Sequence, residues 1–227
     1  MCFSATASFT AAALLLPAGV LGTQRAYRID RRYVAICALP LLFGIQQLLE
    51  GIVWIAGANQ TYDQVKTFSL GYMFFTWVAW PIWIPVSLYF LESHHRRSVY
   101  LVFAVLGGML GALLYVPYFA HEGWIVTRFL QYAIQYDGIE LLDFIMPREM
   151  TNLLYVLIVV SPALLASDRD IRVFGVLVIV ALAVTYFFFS FAYISVFCFG
   201  AAAISLYLTY MIFKKEMPQS EGQLSAR

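Results

Sequence analysis

Seven long apolar stretches, parted by short polar or basic breaks, constrain this chain more than any other feature. They cover 8–22, 34–57, 69–91, 99–120, 151–167, 172–189 and 192–213. A helix needs about 20 mainly apolar residues to cross the hydrocarbon core of a bilayer. Composition points the same way: 62% of the 227 residues are hydrophobic and 12% charged, against about 25% charged in a soluble domain. The reading is an all-α integral membrane protein, a seven-transmembrane-helix bundle over 1–213 with a polar tail at 214–227. The first stretch is short. The last two are one run, broken near Ser190 in "YFFFSFAYISVF"; without that break six spans remain.

Basic residues set the expected orientation, because cytoplasmic loops carry the excess of Lys and Arg. The first loop holds Arg25, Arg28, Arg31 and Arg32, the third Arg96 and Arg97, the fifth Arg169 and Arg172, and the tail Lys214, Lys215 and Arg227. The alternate loops hold only Lys66, Arg128 and Arg148. Seven spans then place the N-terminus outside and the C-terminus in the cytoplasm. The opening "MCFSATASFTAAALLLPAG" lacks the basic start of a signal peptide. Its first basic residue, Arg25, follows the apolar core, so residues 1–22 are expected to stay, with Cys2 at the outer face.

The outer loop 121–150 is expected to be structured. Ile125, Phe129 and Tyr132 have the spacing of an interfacial amphipathic helix. The competing and favoured reading is a hairpin or cap over 132–141, because "AIQYDGIEL" sets Asp-Gly between two alternating runs. The tail "KKEMPQSEGQLSAR" is polar enough to be disordered.

Glu50, in "LPLLFGIQQLLEGIVWIAG", is the one carboxylate deep within a predicted span. An ionisable group in lipid is costly, so it should face the bundle interior with a partner. Gln46, Glu50 and Trp54 recur every four residues and share a helix face, with Gln47 beside them. A ligand, proton or metal site is one reading; a polar cluster that only ties helices together is the other. Glu50 lies roughly 12 Å and Cys198 roughly 9 Å below the outer ends of their helices, at 1.5 Å per residue. Cys2 and His121 belong to the same outer half, whereas Cys37 does not. Cys, His and carboxylate suit zinc or a similar transition metal, so Cys2, Glu50, His121 and Cys198 are candidate ligands, although their spacing forms no motif. The alternatives are an inert Cys198 that fills core space, a Cys2–Cys198 disulfide, or an N-terminal Cys2 acting as a nucleophile, with Glu50 the second candidate catalytic group.

Gln46, Gln47, Trp54, Thr76, Trp77 and Trp80 are candidate pocket residues. "YMFFTWVAWPIWIPVSLYF" reads as an aromatic helix kinked at Pro81 and Pro85, able either to wall a pocket for an apolar or cationic molecule or simply to pack. Gly107 and Gly111 form a GxxxG pair, for packing within the bundle or for a homo-oligomer. His94 and His95 fall in a loop opposite His121, so no three-histidine zinc centre can assemble. No span holds a Lys for a retinal Schiff base or a His for haem. A net charge of +1 gives no basic field for nucleic acid.

"MCFSATASF", "LPLLFGIQQLLEGIVW" and "FSFAYISVFCF" together resemble a family of small bacterial multi-pass membrane proteins of unknown function. The resemblance implies a bacterial cytoplasmic membrane and places Cys2, Ser4, Thr6, Gln46, Gln47, Glu50, Ser195 and Cys198 in the shared blocks. It supplies no activity. The functions left open are a metal-dependent or thiol enzyme, a metal sensor, a transporter or receptor-like binding module with Glu50 as counter-charge, and a purely structural polar cluster.

Overall fold

The computed structural model describes residues 4–121, 123–130, 133–139, 141–188 and 192–215. Among them are nine α-helices, α1 Ala5–Ile29, α2 Val34–Cys37, α3 Leu39–Ala58, α4 Tyr62–Phe74, α5 Trp80–Leu91, α6 Arg97–Ala120, α7 Arg148–Leu164, α8 Arg169–Phe188 and α9 Tyr193–Lys214, and two strands, β1 Ile125–Phe129 and β2 Ile134–Gly138. The described residues form seven long helical segments, because α2 leads into α3, and α4 runs into α5 through a π-helical segment, Phe75–Ala79. Six of them are long and apolar enough to cross a membrane; α7, at 17 residues, is the shorter seventh. The long apolar run does divide: α8 ends at Phe188 and α9 begins at Tyr193, with Ser190 itself outside the described residues, as are 216–227 of the tail.

The helices extend past the apolar stretches at several ends. The first starts at Ala5, where the Ser4 hydroxyl accepts from the Ala7 amide at 3.3 Å, an N-cap bond that closes an otherwise open first turn. The third segment starts at Tyr62, seven residues before the apolar run. Hydropathy locates the lipid-facing part of a helix and says little about polar turns beyond it.

The interior is packed by backbone approach as much as by large side chains. α1 lies along α3 and α9, α5 along α6, and α8 along α9. Gly107 faces α5 and Gly111 the π segment of the same chain, where a Cβ would meet Pro81 O at 2.1 Å and Trp77 O at 2.4 Å. This is the packing reading of the pair, within one chain. The lipid-side face of α6 is instead the exposed row of Leu101, Val105, Met109 and Val116.

The segment between α6 and α7 contains a hairpin, but in a different register from the one expected. β1 and β2 pair antiparallel with Ile125 opposite Gly138 and Phe129 opposite Ile134. Asp137-Gly138 is therefore the end of β2 and not the turn, and Ile125–Phe129 is a strand where an amphipathic helix is the competing expectation. Gly138 is small for packing reasons: a Cβ there would lie 2.5 Å from the Tyr118 ring and 2.7 Å from Trp124 O. The hairpin lies over the bundle end, β1 against α4 and β2 against α9. Thr127 donates to Ser69 at 2.8 Å, Phe129 meets the Trp54 ring at 5.9 Å, and Arg148 ties the end of β2 by donating to Gly138 O at 2.8 Å.

The opposite end is fastened by polar groups. Glu92, 4% exposed, accepts from the Ser167 amide at 2.5 Å and the Ser167 hydroxyl at 2.8 Å. Asp168 accepts from the Tyr33 hydroxyl at 2.5 Å and the Lys215 ammonium at 3.1 Å. The turns after α1, α5 and α7 and the end of α9 thus meet on one face.

Candidate functional site

A polar cluster lies beneath the hairpin where α3, α4, the π segment and α9 converge. On α3, Gln46, Gln47 and Glu50 are all buried, at 0%, 0% and 1% exposure. Their spacing turns them inward from an otherwise apolar helix. Ser195 donates to Glu50 Oε1 at 2.5 Å. It sits three residues before Cys198 and therefore on the same face of α9. Ser8 of α1 and Gln47 also face the carboxylate. Among the described residues no Lys or Arg stands beside Glu50.

The second half of the cluster centres on Cys198. Gln46 Nε2 donates to Thr76 Oγ1 at 3.3 Å and to Cys198 Sγ at 3.5 Å, and Thr76 Oγ1 lies 3.8 Å from Cys198 Sγ. The π segment sets Thr76 in place. Within it the Trp80 amide bonds Phe75 O, five residues back, so Thr76 O loses the partner an α-helix would give it. The Tyr155 hydroxyl of α7 takes that carbonyl instead, at 2.5 Å. Trp77 meets the Tyr155 ring edge-on at 5.2 Å.

Aromatic rings close the cluster from above. Tyr72, one turn before Thr76, stacks on Tyr136 of β2 with centroids 4.8 Å apart. Both tyrosines lie within electrostatic reach of Glu50 and Cys198. Several polar atoms here are buried without a hydrogen-bond partner: Gln46 Oε1, both polar atoms of Gln47, Tyr72 OH and Tyr136 OH. Trp54, Trp77 and Trp80 also have unpaired buried indole N–H groups. Native interiors satisfy nearly all such groups, so their concentration around one carboxylate marks this region off from the rest of the bundle.

The structure thus joins Gln46, Thr76 and Cys198, and sets Glu50 with Gln47 close by. Trp54 is turned to the hairpin, and Trp80 stacks on Phe43 at 4.0 Å. His121 is not part of the cluster: it is exposed at the end of α6 and stacks on Trp124 at 4.5 Å. Among the described residues no three His, Cys, Asp or Glu side chains gather to hold a metal. Equal depth in the bundle brought Glu50, His121 and Cys198 together on paper, but depth carries no information about angular position. Cys2 lies outside the described residues, and with it the fourth metal ligand, the disulfide partner and the candidate nucleophile. Cys198 carries a free, buried thiol, as does Cys37.

Residue-level reading missed Ser8, Tyr72, Tyr136 and Tyr155. Tyr72 was within reach of it, being four residues from Thr76. Tyr136 and Tyr155 come from a hairpin and a helix whose placement no local pattern encodes.

No curated protein and no solved structure matches the chain. The model of DUF6629, described as a family of unknown function, matches residues 1–223. The chain belongs to that family.

Proposed function

We propose that this chain is a seven-span membrane protein, N-terminus outside, whose outer half binds a small organic cation with Glu50 as counter-charge. The observation that carries the reading is a carboxylate buried to 1% exposure with no basic partner beside it among the described residues. A buried carboxylate without a cation is costly. Aromatic faces attract cations by about 0.5–2 kcal/mol each, and Tyr72 and Tyr136 stand within reach of this one. The Gln47 amide beside Glu50 and the Tyr72 hydroxyl beside Cys198 would orient the ligand's polar part. The hairpin, which supplies Tyr136, is the cover, so a ligand enters from the outer face beneath it. The alternating basic loops support the orientation. An organic cation accounts for the cluster better than a metal ion, since the described ligand set contains one carboxylate and one thiol.

The test is thermal unfolding of the purified protein in mild detergent, with a series of alkylammonium ions and choline. A concentration-dependent rise in Tm is expected. Glu50→Gln, which keeps shape and hydrogen bonding, should weaken the effect at least about tenfold, equivalent to ~1.4 kcal/mol. A wild type indifferent to the whole series, or a Glu50→Gln variant that responds equally, would leave the cluster a structural tie between helices.

A further inference from the structure

We propose a second, separate site, at the start of α8, for the phosphate of an anionic phospholipid headgroup. A groove of about 350 Å³ opens there, lined by Arg169, Arg172, Val173, Val176 and Leu177. Arg169 and Arg172 stand three residues apart and so share a helix face. Both are exposed, and neither has an acidic partner among the described residues.

The lack of partners is notable because acidic groups are adjacent in sequence. In "SDRDIR" the two aspartates turn into the bundle. Asp168 accepts from Tyr33 and Lys215, and Asp170 accepts from the Tyr207 hydroxyl at 3.1 Å. Three other basic residues at this end are engaged. Arg32 pairs with Asp30 at 2.7 Å, Arg97 donates to Glu92 O at 3.2 Å and Arg96 to Ser167 at 3.4 Å. One short turn thus sends its negative charge inward and its positive charge outward.

The groove floor decides which anion fits. Below the arginines, Val173, Val176 and Val180 are 38%, 52% and 53% exposed and continue down α8 as an apolar track. Two guanidinium forks match phosphate oxygens, while the valines suit acyl chains. A basic mouth at the membrane boundary above an apolar track is the arrangement expected for a headgroup held with its tails. A free phosphate ester would use only the mouth.

The test uses the full chain in mixed micelles of phosphatidylglycerol and phosphatidylcholine with identical acyl chains. Lipid retained on the protein is counted by native mass spectrometry. Wild type should retain phosphatidylglycerol over phosphatidylcholine by about tenfold, and the doubly substituted Arg169→Gln, Arg172→Gln chain should lose that preference while remaining monodisperse. Arg32→Gln, which removes a paired exposed arginine, should keep it. Equal retention of the two lipids by wild type, or an unchanged preference in the double variant, would overturn the proposal. So would displacement of the lipid by millimolar glycerol phosphate, which would assign the site to a soluble phosphate. If the double variant misfolds, Arg169→Lys with Arg172→Lys supplies the same comparison: charge is kept and the fork lost, so a weakened preference is expected and an undiminished one counts against the site.

Discussion

Pro81 and Pro85 make the α5–α6 contact unusually sensitive to a single methyl group. Proline has no N–H, so neither can bond the carbonyl four residues earlier. Those carbonyls are Trp77 O and Pro81 O, and they are the atoms that meet Gly111 and Gly107 of α6. The glycine Cα–H groups approach them as weak donors, each contact worth about 0.5–1 kcal/mol. In Gly107→Ala the new Cβ would start 2.1 Å from Pro81 O, and ordinary contact begins at 3.4 Å, so the helices must part by about 1.3 Å. Both surfaces are backbone, and no side chain can rotate away. Overpacking of this kind costs about 1–3 kcal/mol, to which the lost Cα–H contact adds. Exchange of Gly for Ala within a helix returns about 0.5–1 kcal/mol. The net expectation is a loss of about 1–3 kcal/mol, or a few degrees to about 10 °C in Tm for a chain of this length, with Gly111→Ala similar. Gly108 is the internal control. A Cβ there would lie 3.7 Å from Ile82 Cδ1, so Gly108→Ala should be neutral or mildly stabilising. Unfolding in detergent, followed by tryptophan fluorescence, separates the two classes. The reasoning fails if Gly107→Ala is as stable as Gly108→Ala. It fails equally if Gly107→Ala changes oligomeric state while the monomer's Tm stays put, because the pair would then act between chains.

Two further outcomes concern the polar end of the bundle. Glu92→Ala takes a charged acceptor from the Ser167 amide and hydroxyl in a half-buried turn, a loss of about 1–3 kcal/mol; denaturant titration should show Glu92→Gln nearer to wild type. Burial pushes the Asp168 carboxyl up, but the Tyr33 hydroxyl and the Lys215 ammonium outweigh it, and its pKa is lowered overall. Its contribution to stability is therefore present above the unfolded-state pKa of about 3.9 and is lost as pH falls through the lower folded value. Tm measured from pH 6 down to about pH 2 should fall less steeply in Asp168→Asn than in wild type, and identical slopes would contradict the assignment.

Several structural features could be read from residue order because their causes are local. Apolar runs of bilayer length locate the helical segments, since each helix satisfies its own backbone hydrogen bonds. The four-residue spacing of Gln46 and Glu50 puts them on one face whatever they touch, and Ser195 with Cys198 obeys the same geometry. Pro81 and Pro85 mark where α5 must depart from ideal bonding, and the π segment lies just before them. Tertiary structure alone decided the rest. Ser195 meets Glu50 across 145 residues of sequence, and Tyr136 stacks on Tyr72 from a strand whose register the Asp-Gly pair does not set. Asp-Gly carries a strong local turn preference, but Gly138 was needed against Tyr118 and Trp124, and close packing prevailed over that preference. His121 shows the same limit in the opposite sense: its chemistry suits a metal, but it stands exposed in extended backbone just past the end of α6, stacked on Trp124. Helix periodicity fixes which residues share a face. Only the packing of one helix against another fixes what that face meets.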